Sequence, residues 1–273
     1  MAKLISDVKN EYDKAKRILK PIFIPFSRYV TYFGRENIIN EGPNLIIANH
    51  AGIGRDIASI LAVVDRQLYF LSSHYMFDKM LLLEYVKSTL GQPLYLITYP
   101  FTFLFAKYLS EKLIKFEMIP INKSYFGDKI ELTKNIRQSI DKVKEYLLKD
   151  RAVVIFQSRL DMLKTIGHRE IMFKKHSDYH YYIPKFHPTV GKIVYELYKE
   201  HGLKVPVSPI SIYGAEGLNP FKRIVLNVGK PTDITSCIDN NTFGNPINNF
   251  TNSLEKMIAD LLIESGLSRE YNP

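Results

Sequence analysis

The apolar stretches of this chain are short, rich in β-branched residues and bounded by polar or turn-forming residues, which narrows the folds open to it. NLIIA (44–48), AVVIF (152–156), VPVSPISIY (205–213) and RIVLNVG (223–229) are each too brief to be a stable helix. Continuous apolar runs of about four to eight residues suit strands buried on both faces. QLYFLSS (67–73) and FEMIPIN (116–122) read as further strands, and IASILAVV (57–64) as a buried helix. Ile136, Ile140, Val143 and Leu147 recur at helical spacing, as do Phe250, Leu254, Met257 and Leu261 in a tail helix over 248–265. Strands interleaved with helices predict an α/β class: a largely parallel or mixed sheet of about six or seven strands, flanked by helices.

The connecting segments divide the chain. MAKLISDVKNEYDKAKRILK carries Leu4, Val8, Tyr12 and Ile18 at helical spacing with lysines between them, and Pro21 ends that helix. The aromatic stretch PIFIPFSRYVTYF and the turn-like GRENIINEGP come next. Residues 1–40 therefore read as helical, aromatic membrane-contact structure, and 41–273 as one α/β domain. The most apolar part is 76–116, where Pro93 and Pro100 are expected to interrupt any long helix. There Tyr95, Tyr99, Phe101, Phe103 and Phe105 stand beside Lys107, Lys112 and Lys115, the mixture of an interfacial segment, with a core helix as the bland alternative. About 161–183 the chain is polar, aromatic and basic without period, as in an inserted surface loop.

Charge and cysteine usage bound the setting. With 37 Lys and Arg against 28 Asp and Glu, the net charge is +9 and favours an anionic partner surface. A nucleic-acid partner is the weaker reading, for there is no helix-turn-helix, zinc-ligand spacing or RNA-binding aromatic signature. Cys237 has no second cysteine to pair with, so the fold does not depend on an oxidising compartment. The N-terminal stretch is too charged for a secretory signal, and no run approaches the roughly 20 apolar residues that span a bilayer. A peripheral protein on the cytoplasmic face of a membrane is expected.

The sharpest local pattern is NHAGIGRD, which sets His50 and Asp56 at the end of an apolar strand, with Gly52 and Gly54 between them. Sites in open α/β sheets form at that end. A histidine there can act as general base, with a carboxylate that fixes its tautomer and steadies the imidazolium. A structural hydrogen bond between loop residues is the bland alternative. His168, His176, His180 and His187 lack an obvious pairing, so no metal is expected.

The order of blocks along the chain carries more. GRENI, then PNLIIANH with its downstream Asp, MIPINK, AVVIF, VPVSPISI and LNVGKP succeed one another from about Pro21 to Pro231. That succession resembles the glycerophospholipid acyltransferase family, the 1-acylglycerol-3-phosphate acyltransferases. The resemblance implies His50 as catalytic base, Asp56 as its partner, and Asn49, Lys123, Gln157, Ser158 and Arg159 as substrate-binding residues. Three departures stand out. Ala51–Arg55 is one residue longer than the family's His-to-Asp spacing, Lys123 replaces an arginine, and Phe156-Gln157-Ser158-Arg159 stands where the family has Phe-Pro-Glu-Gly. Lysine keeps the charge of arginine but not its bidentate fork.

The implied activity is transfer of a fatty acyl chain to a hydroxyl of a lysophosphatidic acid-like lysophospholipid, in phospholipid or glycolipid biosynthesis. Acyl-CoA or acyl-carrier protein would serve as co-substrate, without a cofactor, on an anionic phospholipid membrane. The alternatives are a lipid-binding protein that keeps the fold without catalysis, and an acyltransferase for a non-phosphate acceptor.

Overall fold

The computed structural model describes residues 30–50, 55–90, 92–121, 129–159, 173–176, 181–184, 186–215, 223–238 and 244–271. It is an α/β fold, a mixed sheet of seven strands flanked by helices, with a separate two-stranded hairpin. The described residues fall into two compact units, one of Tyr69–Glu145 and the other of the segments up to Leu68 and from Tyr146 onward.

The larger unit is built on five strands in the order β1 (Val30–Phe33), β9 (Ile224–Val228), β8 (Val207–Tyr213), β2 (Asn44–His50) and β5 (Ala152–Arg159). β2 runs parallel to both β5 and β8, β8 and β9 are antiparallel, and β1 is parallel to β9. Leu45 to Ala48 and Ala152 to Ile155 are buried without a break, as are all of β9 and all of β8 but Tyr213. Unbroken burial is why these strands appear in sequence as continuous apolar runs instead of alternating ones. The same unit holds α1 (Arg55–Val63), α5 (Thr189–His201), the short α6 (Thr235–Ile238) and the C-terminal α7 (Pro246–Tyr271). α7 packs on β8, β9 and α5. A side chain at Gly191 of α5 would come within 2.7 Å of the Ile247 carbonyl, so glycine permits that close approach of helices.

The smaller unit contains β3 (Leu68–Ser73) from Tyr69 on, paired in parallel with β4 (Ile119–Ile121), and the helices α2 (Lys79–Leu90) and α3 (Gln92–Lys115). α4 (Lys129–Leu148) begins there and continues across the division at Glu145. Leu82, Leu83 and Ala106, with Met76, Phe103 and Leu109 against them, form the apolar seam between α2 and α3.

Several expectations are corrected. Val30–Phe33, assigned to the helical segment 1–40, is a strand. Its β-branched and aromatic residues pair with Ile224–Asn227, and the left-handed Gly34 (φ 69°) turns the chain away. A Cβ at Gly34 would fall 2.0 Å from the Val228 carbonyl oxygen, so only glycine fits. Residues 1–29 of that segment lie outside the described residues. Neither Pro93 nor Pro100 breaks α3. Pro93 sits in the first turn, where an amide lacks an intrahelical partner anyway, and Pro100 is carried inside the helix on its exposed side. Of FEMIPIN, Ile119–Ile121 is strand, whereas Phe116 to Met118 close the end of α3, and Asn122 lies outside the described residues. Within the supposed loop 161–183, residues Phe173–His176 (β6) and Tyr181–Pro184 (β7) form an antiparallel hairpin, also in the larger unit.

Candidate active site

The parallel strands β8, β2 and β5 end at one edge of the larger unit's sheet, where sites form in open α/β sheets. β2 delivers Asn49 and His50 to that edge, and β5 delivers Gln157, Ser158 and Arg159. Asn44 through Asn49 pair in step with Ala152 through Gln157, and then the register shifts, so that His50 stands opposite Arg159 and not Ser158. A bulge adds one residue to one strand and re-aims the residues beyond it, a device common beside active sites. Here it sets the polar pair His50 and Arg159 at the last rung of the ladder.

Asn49 locks this edge from the other side. Its Nδ2 donates to the Ile212 carbonyl at 2.8 Å, and its Oδ1 accepts from the Ile212 amide at 2.7 Å. The carboxamide behaves as one more peptide group, extending the β2–β8 ladder past its last backbone pair, Ala48 and Ile210. Asn49 is held by β8 and fixes the backbone that carries His50.

Asp56 is the second residue of α1, which begins after residues 51–54, so the helix start, and not a free loop, carries the carboxylate. Its side chain is fully buried, and Oδ1 accepts the Ile57 amide at 2.9 Å. Asp56 thus stands in the first helical turn, at the positive end of the helix dipole. Ser59 Oγ donates to the Arg55 carbonyl at 2.7 Å within the same turn. Gln157 is buried at 7% exposure near the end of β5.

The other expected site residues divide by place. Ser158 and Arg159 end β5 as described, whereas Lys123 and the glycines 52 and 54 lie outside the described residues. Of the dispersed histidines, His187 has Nδ1 2.6 Å from Thr189 Oγ1 at the start of α5. Sequence reading missed the role of Ile212 and the bulge at Ser158. Asn49 and Ile212 are 163 residues apart, and no local pattern signals such a bond.

No family model matches the chain. No curated protein matches it. Among solved structures, the crystal structure of the 1-acyl-sn-glycerophosphate (LPA) acyltransferase from Thermotoga maritima aligns with 93% of this chain and 82% of that one, with a TM-score of 0.48 and 16% sequence identity.

Proposed function

We propose that this chain is an O-acyltransferase that moves a fatty acyl group from a thioester donor, acyl-CoA or acyl-carrier protein, to a hydroxyl of a lysophosphatidic acid-like acceptor at a membrane surface. The observation that carries the reading is the edge formed by β2, β5 and the start of α1. It brings a strand-end histidine into register with an arginine and adds, a few residues on, a buried first-turn carboxylate. The order of sequence blocks that resembles the glycerophospholipid acyltransferases supports the same chemistry.

In this mechanism His50 takes the proton of the acceptor hydroxyl as its oxygen attacks the thioester carbonyl. Asp56 orients the imidazole and stabilises the imidazolium. The tetrahedral intermediate collapses with cleavage of the carbon–sulfur bond, and the leaving sulfur takes the proton back from His50. Because the acceptor hydroxyl attacks the thioester directly, no acyl-enzyme is needed, and the products are the ester and a free thiol. Backbone amides at the Gln157–Arg159 end of β5 and in the first turn of α1 are the nearby sources of oxyanion donors. Arg159 would hold the acceptor phosphate as a fork, and the resemblance gives Lys123, a point charge, a substrate-binding role.

Thiol release from acyl-CoA and from acyl-carrier protein, by purified protein on vesicles with lysophosphatidic acid, tests this directly. Release should fall by about 10² to 10⁴-fold in His50→Ala, the usual contribution of a positioned base. Absence of turnover with both donors across lysolipid and glycerol-phosphate acceptors would leave the lipid-binding alternative in its place.

A further inference from the structure

α3 is apolar on two sides. Phe103, Ala106 and Leu109 face the seam with α2. Phe101, Leu104 and Tyr108 form a second stripe at i, i+3 and i+7, and this one is open to solvent: Phe101 is 77% exposed and Leu104 64%. A helix with apolar residues all round is ordinarily enclosed by protein or lipid. Water around Phe101 and Leu104 is the anomaly to be explained.

The polar residues of the helix indicate what encloses the stripe. Lys107, Lys112 and Lys115 lie along its C-terminal half against one acidic residue there, Glu111. Lys107 and Lys115 are exposed, and Lys112 Nζ sits 5.6 Å from the centre of the Tyr108 ring. Lysines flanking an exposed aromatic and aliphatic stripe can keep their stems on apolar surface and their ammonium groups at phosphate level. No helix among the described residues is long and apolar enough to cross a membrane, so the fitting geometry is a helix lying in the interface.

We infer that the outer face of α3 is the surface by which this protein docks on an anionic lipid bilayer, Phe101 and Leu104 entering the acyl boundary while Lys107, Lys112 and Lys115 meet lipid phosphates. Charge complementarity selects the occupant: a second copy of this chain would set these lysines near its own net charge of +9, whereas an anionic leaflet attracts both. The inference deepens the proposed function by naming the face that meets the membrane, and its residues belong to the unit that does not hold His50.

The test is cosedimentation of the full chain with vesicles of phosphatidylglycerol and phosphatidylcholine, compared with phosphatidylcholine alone. Phe101→Ser with Leu104→Ser should weaken partitioning about tenfold or more, the loss expected for two large apolar groups that no longer leave water. Lys107→Glu with Lys115→Glu should abolish the preference for anionic vesicles, and added salt should weaken wild-type binding. Circular dichroism and size-exclusion chromatography accompany each variant. Wild-type-like vesicle binding by the folded serine variant overturns the inference, as does a wild-type dimer that this variant dissolves. Thiol release with a detergent-dispersed acceptor separates the two proposals. Face variants that keep turnover while losing vesicles support docking, and a His50→Ala protein that turns over normally while still binding vesicles removes the catalytic reading alone.

Discussion

Asn49 directs both ends of its carboxamide to a single residue, Ile212, and holds the end of β2 against β8 at the point where His50 leaves the sheet. Asn49→Ala strands a backbone amide and carbonyl in a part-buried edge, so it should cost about 1–3 kcal/mol, measured as a lower urea midpoint. Thiol release should fall with it, since His50 loses its support while remaining present. Tyr32 supplies a pH signature. Burial raises its phenol above the usual value, with Arg35 pulling the other way. The unfolded chain therefore gives up this proton first, near pH 10, while the native state still holds it. This contribution is intact below that pH and is lost as pH rises through and beyond it. Tyr32→Phe should flatten that part of the alkaline decline in a pH series of denaturant melts.

Two helix ends show how local rules and tertiary needs meet. Glu117 and Asp150 both have positive φ, at 56° and 57°. Behind them Met118 N bonds to Leu113 O and Glu117 N to Ile114 O after α3, while Arg151 N bonds to Tyr146 O and Asp150 N to Leu147 O after α4. This is the paired closure that usually recruits glycine. Sequence reading looks for Gly as the stop signal, which is why the end of α3 resembles the start of a strand. Asp150 tolerates the left-handed conformation better than most residues, and its carbonyl also accepts Arg66 Nη2 at 2.8 Å. Asp150→Ala should lower stability by about 1 kcal/mol, and Asp150→Gly should not, a contrast that thermal melts of the two variants will show.

At the scale of the molecule, the proposed reaction requires the fold to hold a thioester donor. A ligand that binds only the native state at a hundred times its Kd adds about 2.7 kcal/mol of stability. In His50→Ala protein, which should bind without consuming the donor, saturating acyl-CoA or acyl-carrier protein should raise Tm accordingly. A flat response to both donors would count against the catalytic reading.

The α/β class, the buried central strands and the arrival of His50 at a strand end were all legible in the sequence, because burial on both faces demands continuous apolar runs and those are visible locally. Gln157, Ser158 and Arg159 came from the family resemblance, which set them in a turn after AVVIF, whereas β5 runs on through them to Arg159. Tertiary structure was needed to show that β1 joins the sheet beside β9, that Ser158 is bulged out so Arg159 meets His50, and that Asn49 bonds to Ile212. Each of these depends on partners about a hundred residues or more away. Their geometry is set by register and twist, to which the local spacing of apolar and polar residues is blind.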